Sequence, residues 1–130
     1  MYTNGCMTIF NKHTTADKEV IYIPHKIDNV FWDSSEAVAE NLDRNDEVVV
    51  YIPFEKNDLS DYISPKDYDE QLTSVWTIRE GDLIIKGDLT SLESVHTLKE
   101  LKDYETFTVY SIDTKDFGSE DMQHFKVKGK

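Results

Sequence analysis

Apolar and β-branched residues recur along the chain in short runs that predict β-strands. Residues 26–32 and 106–113 alternate apolar and polar positions with a period of two, which is typical of half-buried strands. Val48-Val49-Val50-Tyr51-Ile52 is nearly continuous in apolar residues, and this predicts a strand buried on both faces. Gly81 is expected to adopt a positive φ in the turn between two of the strands. The predicted strands are residues 7–10, 19–23 (ended by Pro24), 26–32, 46–54, 75–78, 82–88, 106–113 and 123–127.

Capping residues predict two short helices between the strands. Ser64-Pro65 places an N-cap hydroxyl before a proline at the first helical position. Thr97 and Glu100 have the spacing of a capping box, in which the glutamate bonds back to the first residue. Residues 35–42 give a weaker helical signal with ambiguous caps.

The elements together predict one mainly β domain, a β-rich α+β fold. Many short strands with turns between them, plus two short helices, suggest a small antiparallel β-barrel, closed or nearly so. The chain has 130 residues without a repeat or a linker, so residues 1–130 are expected to form a single domain. Residues 114–130 are predicted to be a loop with a terminal strand and tail. An edge position is the ordinary interpretation of this strand, and deletion of residues 118–130 is expected to leave the monomer folded.

Charge limits the classes of partner. The chain carries 26 acidic and 14 basic residues, for a formal net charge of −12 at pH 7. This charge disfavours nucleic acid as a direct ligand, because phosphate binding needs clustered Lys and Arg, and it also disfavours anionic membranes. It permits a basic protein partner or a surface that repels DNA, and solubility alone would also explain it.

Signals for a membrane or for secretion are not found in the sequence. No run approaches the roughly 20 apolar residues that span a bilayer. Residues 1–6 lack the basic flank and the apolar run of a signal peptide. The single cysteine, Cys6, cannot form an internal disulfide, which favours a reducing cytoplasm.

Motifs that carry chemistry are equally scarce. The histidines at 13, 25, 96 and 124 lack metal-ligand spacing, and the acidic residues between 58 and 70 lack the pattern of a calcium loop. Cys6 has no basic neighbour in sequence that would activate its thiol. No nucleophile elbow, phosphate loop or dinucleotide fingerprint occurs. We therefore predict no catalytic residue, no cofactor-binding residue, no metal ligand, no cofactor and no enzyme activity.

The C-terminal segment holds the residues that we predict to contact partner proteins. It leaves a loop, places Met122 and Phe125 three residues apart, and ends in lysines that can touch an acidic neighbour. An ordinary final strand with a frayed end would explain the same pattern. The predicted contact residues are Phe117, Gly118, Met122, His124, Phe125, Lys126, Lys128 and Lys130.

Three blocks of sequence span most of the chain in a specific order and spacing. They are residues 7–11 with 30–32; residues 51–53 with 62, 64–66, 76–78 and 81–87; and residues 111–113 with 117–119, 122 and 124–127. Together they resemble an uncharacterised family of small proteins from the structural-gene clusters of phages and prophages of Gram-positive bacteria. In layout, the steps from Gly81 to Ile85 and from Ile112 to Val127 are more distantly similar to phage head–tail joining and head-closure proteins, which are small β-barrels.

The resemblance implies a non-enzymatic virion morphogenesis protein, either a neck subunit or a tail-completion subunit. Such a protein docks in a homo-oligomeric ring to structural proteins on the portal or adaptor side or on the tail side. DNA passes through the ring without being bound specifically, no membrane takes part, and the protein occurs in the host cytoplasm during assembly and then in the virion. The alternative is an acidic DNA mimic or anti-defence protein that binds a host protein, although mixing of carboxylates with lysines weakens that interpretation.

Overall fold

Six antiparallel strands form the frame of the described part of the protein. The computed structural model describes residues 3–33, 47–69, 74–92, 94–101 and 104–130. The strands are β1 (Gly5–Thr14), β2 (Val20–Asp33), β3 (Val48–Pro53), β4 (Leu83–Lys86), β5 (Thr106–Lys115) and β6 (His124–Gly129).

The sheet closes on itself. Its strand order is β1-β2-β3-β6-β5-β4, and β4 pairs in turn with β1. Each strand therefore has two neighbours over part of its length, which removes much of the unpaired edge that an open sheet exposes. The prediction of a mainly β chain is confirmed.

Two of the predicted strands are one strand in the structure, so the expected stop at Pro24 is wrong. β2 continues from Val20 to Asp33, and Pro24 lies opposite Phe10 of β1. Within the described residues, β3 pairs only with residues 31–33 of β2. At Pro24, β2 therefore pairs with β1 but not with β3. The missing N–H of the proline removes no hydrogen bond to a described strand on the other side.

The predicted hairpin between residues 75–78 and 82–88 is wrong in its first half. Trp76 makes only an isolated bridge to Tyr62, and β4 pairs with β1 and β5 instead. The turn before β4 does form, because the N–H of Asp82 donates to the carbonyl of Arg79 at 3.1 Å. Gly81 has φ +94°, which confirms the positive φ expected there.

Neither predicted helix forms as an α-helix in the described part of the chain. Ser64 and Asp67 close a single turn, while residues 70–73 and the weaker signal at 35–42 lie outside the described residues. Residues 98–101 form one 3-10 turn, and the Glu100 carboxylate accepts the N–H of Thr97 at 2.9 Å. The capping bond forms as predicted, but a segment this short lacks the length that sustains a helix.

The apolar side chains form two clusters on opposite faces of the sheet. The main core fills the interior of the closed sheet, where Ile9, Val50 and Ile84 are fully buried. Leu83 and Ile85 point the other way and pack with Phe10, Val95 and Leu101 outside. β4 and residues 7–11 of β1 are therefore buried on both faces. In β3, which we predicted to be so, Val49 and Tyr51 are only half-buried.

The last strand is an interior strand, so its interpretation as an edge strand is wrong. β6 pairs with β3 on one side and with β5 on the other. Phe125 and Val127 are buried in the main core. Deletion of residues 118–130 would open the closed sheet and expose this core, so the remainder is not expected to stay folded.

Gly129 permits the close packing of β6 against β5 and β4, and its substitution tests this arrangement. A Cβ at Gly129 would lie 2.9 Å from the Cβ of Phe107 and 3.3 Å from the Cδ1 of Ile84. We expect Gly129→Ala to lower the free energy of unfolding by about 1–3 kcal/mol through overpacking, as measured by urea denaturation.

Gly5→Ala is the matched control. The nearest atom to its added Cβ is Cδ1 of Trp32, at an ordinary contact distance of 3.7 Å. We expect a change within about 0.5 kcal/mol. Equal losses in the two variants would contradict the packing described for Gly129.

Candidate functional site

A buried amide ties β1 to the segment before β4. The Asn11 side chain is fully buried, and its Nδ2 donates to the carbonyl of Thr77 at 2.6 Å. Its Oδ1 accepts the N–H of Thr77 at 3.1 Å. The Asn11 side chain thus pairs with both the N–H and the carbonyl of Thr77, as the backbone of a neighbouring strand would. Thr77 lies in residues 75–78, which we predicted to be a strand.

A buried carboxylate completes this network. Asp82 is 1% exposed and accepts the backbone N–H groups of Lys12 and Arg79, each at 2.9 Å, as well as the Asn11 amide at 2.9 Å. The Arg79 guanidinium lies 3.6 Å from the carboxylate and also donates to the carbonyl of Lys12. Burial raises the pKa of Asp82, while these hydrogen bonds and Arg79 oppose the rise.

A buried histidine extends the network to the segment after β3. His13 Nε2 and the Tyr68 hydroxyl share a hydrogen bond of 2.6 Å. The Arg79 guanidinium carbon lies 4.9 Å from the centre of the Tyr68 ring, in a cation–π contact. Most polar atoms of this cluster bond one another across three segments, so the arrangement serves to anchor those segments, although Thr77 Oγ1 and Arg79 Nε are buried without a hydrogen-bond partner among the described residues. Sequence reasoning missed it because its members are far apart along the chain, and no local motif marks them.

The described residues offer little for metal chemistry. Within these ranges, no three His, Cys, Asp or Glu side chains gather closely enough to hold a metal ion. Cys6 is a free, half-buried cysteine whose carbonyl accepts the indole N–H of Trp32 at 3.0 Å. In the same part of the chain, no helix has the length and apolar character needed to cross a bilayer.

The structure separates the eight predicted contact residues into distinct groups. Phe117 and Met122 lie on the loop between β5 and β6 and are 70% and 60% exposed. Phe125 is 3% exposed and packs against Phe54 and Tyr62, so its prediction as a contact residue is wrong. The loop also contains Gly118, and the outward face of the last segment contains His124, Lys126, Lys128 and Lys130.

Hydrogen bonds order the loop that presents the exposed apolar pair. The N–H of Met122 donates to the carbonyl of Ser119 at 2.8 Å, and Gln123 Nε2 donates to the carbonyl of Gly118 at 3.2 Å. Gly118 supplies the left-handed conformation, with φ +85°. The N–H of Phe54 donates to the carbonyl of Gln123 at 3.0 Å, which attaches the loop to the end of β3. The side chains of Phe117 and Met122 therefore project from a loop that hydrogen bonds hold in one conformation.

The four outward residues His124, Lys126, Lys128 and Lys130 form a basic stripe along β6. They share one face because strand side chains alternate, and the residues between them are buried. The His124 ring lies 5.6 Å from the ring of Tyr51, which borders the stripe on β3. Lys130 pairs with Glu47 at 3.5 Å.

The buried carboxylate gives a test of the polar network. Asp82→Ala leaves three N–H donors without their acceptor, so we expect the free energy of unfolding to fall by about 2–4 kcal/mol. Urea denaturation at neutral pH measures this loss. Asp116→Ala, at an exposed carboxylate, is the control and should change stability by less than about 0.5 kcal/mol. Similar values for both variants would contradict the anchoring role.

The raised pKa of Asp82 gives a second test. A carboxyl ¹³C NMR titration should place its midpoint above the ordinary value of 3.8. The folded chain then holds this proton more tightly than the unfolded chain does. The associated stability is present below the ordinary pKa and is lost as pH rises through the folded midpoint. A midpoint below 3.8 would show that hydrogen bonds outweigh burial.

The comparisons with known proteins give a family but no function. No curated protein and no solved structure matches this chain. One family model matches residues 2–130, which is nearly the whole sequence, and it describes a family of unknown function, DUF6751. The chain therefore belongs to the family of unknown function DUF6751.

Proposed function

We propose that the protein is a non-enzymatic subunit of a phage virion. It acts at the head–tail neck or as a tail-completion subunit, and it docks to a neighbouring structural protein through the loop between β5 and β6. The observation that carries this proposal is the exposure of Phe117 and Met122 on an ordered loop.

Exposed aromatic and thioether side chains have a physical use at protein interfaces. Phe and Met are enriched at the centres of interfaces, where they supply much of the contact area. Phe117 and Met122 are the most exposed large apolar side chains in the described residues. The hydrogen bonds around Gly118 and Ser119 already hold the loop in shape, which lowers the entropy lost on docking.

The shape and charge of the chain support a place in a ring around DNA. A closed sheet of this size is compatible with the small β-barrels of head–tail joining proteins, which the sequence resembles in layout. A net charge of −12 repels the DNA backbone, so a genome can pass through such a ring without adhering. Contacts between ring subunits would join two different faces of the chain.

Replacement of the exposed apolar pair in a phage that carries this gene tests the proposal. The double variant Phe117→Ser/Met122→Ser removes surface apolar area, so we expect the purified protein to keep its thermal stability. Infectious titre should fall by at least about tenfold, as expected when interface anchors are removed. Electron microscopy should show full heads without tails or leaking heads.

Tyr104→Ser is the matched control, because Tyr104 is also exposed, at 42%, and lies outside the loop. It should leave the titre unchanged. Full infectivity of the double variant would overturn the docking assignment. Normal particles together with salt-sensitive binding of the wild-type protein to a basic host protein would favour the acidic mimic instead.

A further inference from the structure

We propose that the basic stripe on β6 binds the acidic segment of residues 55–69 in a second copy of this chain. This contact is the one that would join neighbouring subunits. The inference deepens the proposed function, and its ring role rests on that function. The self-association itself can be measured without it.

The charge of the last strand is opposite to that of the rest of the protein. Residues 124–130 contain three lysines and no acidic residue. Subtracting these three positive charges from the net charge of −12 leaves −15 on the remaining residues. The stripe is therefore a positive line on a strongly negative molecule, and another copy of the same chain is a suitable partner for it.

The lysines of the stripe are available for a partner. Lys126 and Lys128 point outward and are spaced by two strand residues, or about 6.6 Å. In the described part of the chain, neither of them has a carboxylate within ion-pair distance, whereas Lys130 is paired with Glu47. Two lysines without ion pairs on a chain with 26 acidic residues can each gain a Coulombic contact on association.

Aromatic rings make one border of the stripe suitable for close contact. Tyr51 lies opposite Lys126 on β3, and its ring lies 6.1 Å from the ring of Phe31 on β2. Val49 lies opposite Lys128 on the same strand. These half-buried side chains give the charged line an apolar flank, which excludes water and strengthens ion pairs across an interface.

The acidic segment offers several carboxylates close together in the sequence. Residues 55–69 contain five acidic residues and two lysines. Tyr62 packs its ring against those of Trp76 and Phe125, at 5.1 Å and 4.9 Å, so the segment crosses one end of the closed sheet. Asp61 and Asp67 are exposed on this segment.

The two surfaces lie on different parts of the molecule. The stripe is on the outer wall of the sheet, and the acidic segment covers an end. A contact between them is heterologous, so the same contact can repeat from copy to copy and form a ring. A nucleic acid bound to the stripe would be repelled by the net charge of −15 on the remaining residues, and this favours a protein partner.

Sedimentation velocity on the purified full chain tests the contact. We expect concentration-dependent self-association in about 20 mM NaCl that is lost in about 500 mM NaCl. Lys126→Glu/Lys128→Glu should weaken association at least about tenfold while circular dichroism stays unchanged. Lys86→Glu/Lys99→Glu makes the same charge change at exposed lysines outside the stripe and should have a much smaller effect.

Mixing of complementary variants makes the test specific. Asp61→Lys/Asp67→Lys should also abolish self-association, because it reverses the other surface. An equimolar mixture of this variant with Lys126→Glu/Lys128→Glu should associate again, since each reversed surface then meets a reversed partner. This restoration requires both variants to be folded, so it also controls for misfolding.

Several results would overturn the inference. The wild-type chain could stay monomeric at millimolar concentration, or its association could persist in high salt and in the stripe variant. The mixture of complementary variants could also fail to associate. Finally, the chain could bind a single-stranded oligonucleotide and not self-associate. Phe117→Ser/Met122→Ser should still self-associate. Failure of the proposed docking loop in particles is therefore distinguishable from failure of this contact.

Discussion

Pairing between β1 and β4 is the contact on which the rest of the structure depends. Residues 7–10 of β1 pair with residues 83–86 of β4, and this ladder joins the two ends of the strand order. Without it, the sheet would have two open edges and the apolar interior would face water. β6 lies between β3 and β5 in the middle of this order, so Phe125 and Val127 of the last strand belong to the interior that the β1–β4 ladder closes.

Closure also explains why polar side chains are buried beside β1. Beyond Phe10, β1 no longer pairs with β4, and its second side meets the irregular segment around Thr77. Buried backbone groups there still need partners. Asn11 and Asp82 supply them with side-chain atoms, and the resulting network joins β1 to the turn before β4. Its chemistry is that of a structural joint, although it contains a histidine, an arginine and a carboxylate.

The surface of the protein differs in kind from one region to the next. An ordered loop presents an exposed apolar pair, one strand presents a basic stripe, and a segment across the end of the sheet presents carboxylates. An assembly subunit needs one surface for a different protein and two complementary surfaces for its own copies. In the proposed function, the docking loop supplies the first of these surfaces, and the stripe and the acidic segment supply the other two.

The sequence by itself determined the local features. Short runs of apolar and β-branched residues located most strands, Gly81 marked a turn, and the Thr97–Glu100 spacing indicated a capping bond. Each of these signals depends on neighbours within a few residues. Only the tertiary structure decided that β2 continues through Pro24, that residues 75–78 are no strand, and that Phe125 is buried while Phe117 is exposed. Those outcomes depend on which strands pair and which face turns inward. Such choices are made between residues far apart in the chain, and the energetic gain comes from closing the sheet as a whole.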